Sequence, residues 1–172
     1  MPDPNAQPAP FVLVRSFAAP PPLVWRTWTE PALLARWYKP NPMCQTTVLE
    51  HGLHTGGLMV VQMRFGEMPP SYERWLFQDI EAPRRLQWKQ SMTDAAGNPV
   101  GNPRMPDWPR VMLTTIELQA QASGTLQRLT WQPHEATPAE IACFAGAAAH
   151  LDRGWVGGFD NLGALLGALV DG

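Results

Sequence analysis

The final stretch of the chain restricts its fold more than any other feature. After Pro138 no proline occurs in the last 34 residues, although the 172-residue chain holds 19 prolines in all. Thr137-Pro138-Ala139-Glu140 sets a hydroxyl at a helix N-cap, proline at the first helical position and glutamate three residues past the cap, which is a capping box. Ile141, Phe144, Ala148, Leu151, Trp155, Phe159, Leu162, Leu166 and Leu169 then step by three or four, an apolar stripe on one helix. The spacing predicts a helix over 138–169, ~48 Å long, enough to cross a whole domain. Gly146, Gly154, Gly157, Gly158, Gly163 and Gly167 lie inside it. Each costs about 0.8–1 kcal/mol relative to alanine, so such a helix is held by packing. The glycines are expected to bend it or to admit close neighbours.

Elsewhere proline cuts the chain into short elements. Phe11 to Phe17 is a β-rich run that ends at Ala18-Ala19-Pro20-Pro21-Pro22. Apolar residues at helical spacing, with Pro31 in a first turn, predict two short helices near 21–29 and 31–37. Six strands follow: Gln45 to Glu50, Leu58 to Phe65, Tyr72 to Ile80, Arg84 to Ser91, Val111 to Leu118 and Leu126 to Trp131. In the second, Met59, Val61, Met63 and Phe65 share one face. Short turns between successive strands favour an antiparallel sheet, and only the last helix is long enough to cover its apolar face. The expected architecture is α+β: a curved antiparallel sheet of six to seven strands around a long C-terminal helix, one domain over 11–172. Met1 to Pro10 is expected to be a disordered, proline-rich tail.

Charge excludes some functions. Thirteen Lys+Arg against fifteen Asp+Glu give a net charge of -2, poor footing for neutralising nucleic-acid phosphates. No run of 18 apolar residues marks a membrane span, and residues 1–10 lack the pattern of a signal peptide. A cytoplasmic monomer or homodimer with two reduced cysteines, Cys44 and Cys143, is the expectation. No metal set is complete: His51 and His54 have only Glu50 beside them. The GxSxG elbow, the P-loop and GxGxxG are all absent, and no cofactor is implied. The stretch from Met92 to Pro109, with four prolines and two glycines, is an uncommonly long connection. Such a loop is expected to act as a stiff lid, with Trp108 as its anchor.

Several strings resemble one family. Phe17 to Trp37, with its Pro-Pro-Pro-Leu-Val-Trp and Glu-Pro-Ala-Leu-Leu-Ala-Arg-Trp segments, is similar to the opening of START-like, birch-allergen-like (SRPBCC) proteins. The branch it resembles is named after the C-terminal domain of the heat-shock protein 90 ATPase activator. Gly56-Gly57 with Met63, the Asp79 to Leu86 hairpin and the Trp131 to Leu162 segment are similar to that branch in the same order, with Asp79 where glutamate is usual. The resemblance implies a helix-grip fold with a cavity between sheet and helix. On the inward side it implies Met59, Val61, Met63, Phe77, Trp88, Met112 and Trp131, faced by Trp37, Phe144, Ala148 and Trp155. Trp37, Met59, Met63, Phe77, Trp88, Met112, Trp131, Phe144 and Trp155 are thus the candidate ligand-binding residues. A lining rich in Met and Trp suits a small apolar or aromatic molecule. The alternatives are a domain contacting a chaperone, and an aromatase- or cyclase-like enzyme whose weak candidates are His150 and Arg110.

Overall fold

The computed structural model describes residues 7–172, so the expectation for the N-terminal tail falls largely outside the described residues. The chain forms β1 (Phe11–Phe17), α1 (Pro21–Thr29), α2 (Pro31–Trp37), β2 (Cys44–His51), β3 (Leu58–Phe65), β4 (Ser71–Glu81), β5 (Arg85–Thr93), β6 (Met112–Gln121), β7 (Gly124–Pro133) and α3 (Pro138–Asp171). This is the α+β, helix-grip-like architecture the sequence predicts. Both short helices have proline in the first turn, where its missing N–H costs nothing. Glu30, in extended backbone, closes α1 through a 2.8 Å bond from its N–H to the Arg26 carbonyl and caps α2.

The seven strands form one antiparallel sheet in the order β1-β7-β6-β5-β4-β3-β2. β2 to β7 pair in sequence, and β1 joins the outer edge of β7. The chain therefore leaves one edge of the sheet at Phe17 and re-enters at the other, carried across by α1 and α2. Register shifts at Val48/Glu50 and Phe77/Asp79 interrupt the ladders of β2 and β4. Bulges of this kind bend a strand and add twist, which suits a sheet curled round a helix. Several strands run past the expected ends: β6 reaches Gln121 and β5 reaches Thr93. The reason is that the apolar alternation stops before the backbone ladder does, since Ala120 and Gln121 still pair with Thr125 and Gly124.

Two glycines are needed for close approach. A Cβ at Gly57 would lie 2.0 Å from the Gly52 carbonyl oxygen, and one at Gly124 (φ 144°) 2.0 Å from that of Phe17. The glycines of α3 are different, and here the expectation of close neighbours is largely corrected. At Gly146, Gly154, Gly157 and Gly167 a Cβ would meet nothing within 4 Å, and only Gly158 and Gly163 border side chains, Trp37 and Phe17.

Candidate functional site

Strand alternation turns Trp75 and Phe77 of β4, Leu86 and Trp88 of β5, Ile116 of β6 and Leu129 of β7 inward, all buried. Against them pack Trp28 of α1, Trp37 of α2 and Phe159 of α3. Trp75 and Trp88 stack with centroids 4.3 Å apart, and Trp28 sits 4.6 Å from Trp37 and 5.7 Å from Trp88. The buried indoles of Trp28 and Trp37 donate to Gln127 Oε1 and the Thr27 carbonyl, each at 2.8 Å. This end of the molecule is filled.

The other end is open. A cavity of about 310 Å³ is lined by Trp37, Tyr38, Lys39, Met63, Glu73, Gln90, Trp131, Trp155 and the α3 residues His150, Leu151, Gly154 and Gly158, among others. A second, of about 470 Å³, adjoins it and extends under residues 100–110. Glu73, Gln90, Trp131, His150 and Leu151 border both, so the two compartments meet at that line. Met112, Met105, Trp108 and Arg110 line the second. Trp108 holds the connecting loop down, its ring 5.7 Å from Trp131 and 5.8 Å from Phe144.

The capping box fixes where α3 begins. Glu140 Oε2 accepts from the Thr137 N–H at 2.7 Å, and Thr137 Oγ1 accepts from the Glu140 N–H at 3.3 Å. Glu140 Oε1 accepts from the Arg110 N–H at 3.1 Å, tying the loop to the helix start. Burial works to raise the Glu140 pKa, but the Thr137 and Arg110 donors outweigh it and hold the carboxyl below its ordinary value.

At the junction of the compartments is a polar group that the apolar pattern concealed. Glu73 Oε2 accepts from the Tyr38 hydroxyl at 2.9 Å and from the Trp75 indole at 3.2 Å. The Gln90 amide reaches the Tyr38 oxygen at 3.5 Å, and Gln90 Oε1 accepts from Thr114 at 3.2 Å. Loss of water around Glu73 raises its pKa, against the opposing pull of Trp75, Tyr38 and Gln90. The Tyr38 phenol is pushed well above its ordinary value by burial and then by the neighbouring Glu73 charge.

The candidate residues separate into groups. Trp37, Met63, Trp131 and Trp155 stand on the walls of the first cavity, and Met112 and Trp131 on those of the second. Phe144 is buried against Trp108 and Trp131. Met59, Phe77 and Trp88 are buried in the filled end, away from both walls. Of the acid–base candidates, His150 is exposed on α3 over the junction, and Arg110 is exposed at the second compartment. Tyr38 and Gln90 were not among the candidates, and the sequence marks Glu73 only as one of the charges bordering the sheet, where a surface position is expected. The available signal was alternation: Glu73 is two residues before Trp75, and Gln90 two after Trp88. Cys44 and Cys143 are unpaired thiols, and no group of three or more His, Cys, Asp or Glu among the described residues is placed to hold a metal. No helix of the described residues is long and apolar enough to cross a membrane.

Comparison with known proteins agrees with this fold. The family model described as "Activator of Hsp90 ATPase homolog 1-like protein" matches residues 18–167. A solution structure of an Arthrobacter aurescens protein superposes with a TM-score of 0.77 at 23% identity, covering 92% of this chain and 86% of that one. A Nitrosomonas europaea crystal structure gives 0.69 at 27% identity, with 92% and 94% covered. The AHSA1-like protein from Aeromonas hydrophila gives 0.67 at 20% identity, with 94% of each chain covered. No curated protein matches the sequence.

Proposed function

Because the chain belongs to the family of activator of Hsp90 ATPase homolog 1-like proteins, we propose that it is a binding protein for a small apolar or aromatic molecule. The ligand is held between the sheet and the first half of α3, in one folded unit over residues 11–172. A single observation carries this reading: two adjoining cavities, of about 310 and 470 Å³, meet at Trp131, Glu73 and Gln90 beneath a helix that packs tightly only further along. Volumes of a few hundred Å³ suit small organic ligands. Burial of apolar area supplies the affinity, at about 25 cal/mol per Å² before the costs of association. Met63, Met105 and Met112 give the walls adaptable shape, and Trp131 and Trp155 give them area.

The test is a titration with N-phenylnaphthylamine, a neutral apolar dye whose emission rises on leaving water. Saturable binding, with competition by other aromatic molecules, is expected. A dye signal no greater than with an unrelated globular protein, and no ligand carried through native mass spectrometry, would end the reading. The family description favours a second reading, contact with heat-shock protein 90. It requires that chaperone's ATPase rate to change on adding this protein, and an unchanged rate at saturation rejects it.

A further inference from the structure

Apolarity alone does not account for the first compartment. Four aromatic side chains and one carboxylate line it together: Trp37, Tyr38, Trp131, Trp155 and Glu73. Neighbouring rings are steeply inclined, Trp37 to Tyr38 at 90°, Tyr38 to Trp155 at 60° and Trp155 to Trp131 at 78°, with centroids 5.6 to 6.4 Å apart. Rings set at such angles stand as adjacent walls, not as one flat stack. Their faces carry negative quadrupole potential, which attracts a cation and gives nothing comparable to an anion.

When ionised, Glu73 adds a negative charge to that field, although loss of water raises its pKa. A carboxylate out of bulk water is costly unless it is paired. Its hydrogen-bond donors here, the Tyr38 hydroxyl and the Trp75 indole, are both neutral, and no salt bridge reaches it among the described residues. The protein therefore stabilises the charge only in part. Two cations lie near: Lys39 at the rim of this compartment and the exposed Arg110 in the other. Neither forms a salt bridge with Glu73, and solvent screens the exposed Arg110 charge.

Resting on the binding reading above, we infer that the preferred ligand carries a cationic nitrogen, a quaternary or protonated amine, on its apolar body. The ammonium lies among Trp131, Trp155 and Tyr38 and faces Glu73, with the apolar part directed toward Met112 and the lid. An ammonium supplies both missing elements at once, a charge for Glu73 and a polarising partner for the rings.

Matched probes test this on the full chain. Benzyltrimethylammonium and neopentylbenzene have the same shape and differ by one charge, and phenylacetate carries the opposite charge. Each is titrated by displacement of N-phenylnaphthylamine. The cation is expected to bind about tenfold more tightly than its neutral isostere, with phenylacetate weakest. Glu73→Gln, which keeps the shape, is expected to remove most of that preference, read as the ratio of the two affinities within the variant. Equal or tighter binding of the neutral isostere, or an unaltered preference in Glu73→Gln, overturns the inference. Since the isostere comparison uses the unmodified protein, it stands even where the variant folds poorly. If the dye binds but the cation shows no advantage, only the charge preference fails. If the dye does not bind at all, the groove reading fails with it.

Discussion

The two halves of α3 share one backbone, one capping box and a similar glycine content, yet they meet different surroundings. From Gly158 onward, Gly158, Phe159, Leu162, Leu165 and Leu166 are buried. Before it only Phe144 is fully buried, while Leu151 and Trp155 are partly exposed over the cavities. The cause lies in the sheet. Under the second half, inward positions hold Trp75, Trp88 and Leu129, which interdigitate with Trp28 and Phe159 into a dry core. Under the first half the same alternation delivers Glu73, Gln90 and Thr114, linked to one another and to Tyr38. An apolar helix face pressed onto such groups would strip their water without replacing it. A polar row in an otherwise apolar sheet is thus how this fold keeps a space open.

The largest effect should come from identical truncations in the two halves. Leu162→Ala is expected to lower unfolding free energy by about 2–5 kcal/mol, because Leu162 is fully enclosed. Leu151→Ala, at the cavity wall, should cost about 1 kcal/mol or less. Urea denaturation compares them directly, and equal losses would show that the first half is as tightly held as the second.

Binding should show the reverse asymmetry. Trp155→Leu is expected to weaken N-phenylnaphthylamine about fivefold to tenfold through loss of an aromatic wall. Leu169→Ala, in the last turns, should leave the dye affinity unchanged. A loss of affinity at Leu169 matching that at Trp155 would break the division between the halves.

The polar row predicts a pH dependence of stability. The pKa of Glu73 is raised in the folded state, with loss of solvation as its chief cause. Between the ordinary carboxylate range and that raised value, the folded protein binds more protons at this site than the unfolded chain does. Stability is therefore lost as pH rises through that window and does not return above it. Glu73→Gln should flatten this slope and make the protein relatively more stable near neutrality. Tyr38, Lys39 and His150 face the same space and are unchanged in the variant, so the difference in midpoint between pH 4 and pH 8 isolates Glu73. A slope that persists in Glu73→Gln would assign it to another group.

Most of the fold was legible because its signals are local. Pro21, Pro31 and Thr137-Pro138-Ala139-Glu140 mark helix starts through backbone chemistry that needs no tertiary partner. Met59, Val61 and Met63 reveal an inward face by alternation alone. The site was less legible, because inward-facing does not distinguish a wall from a filled core. Met59, Phe77 and Trp88 obey the same alternation as Met63, Met112 and Trp131, and what separates them is whether the space in front of them is filled. Trp88 has Trp75 at 4.3 Å, whereas Met63 faces the first cavity. Glu73 was hidden for a related reason: a charged residue in a strand is ordinarily read as solvent-facing, and only the position of Trp75 two residues on betrays its direction.

The smallest predicted effect concerns the changeover between the halves. Gly157 is helical, and a Cβ there would meet no atom within 4 Å, as is also true of Gly167 ten residues later. Neither glycine is required by packing, so each leaves the helix weaker than alanine would, by about 0.8–1 kcal/mol. Gly157→Ala and Gly167→Ala should raise stability by similar amounts of that order. They should differ in kinetics if the first half of α3 must lift to admit a ligand. Stiffening Gly157, beside the buried Gly158, would then slow dye association in stopped flow, whereas Gly167→Ala, on the anchored side, would not. Equal association rates in the two variants would mean that ligand enters past the Trp108 loop with α3 at rest.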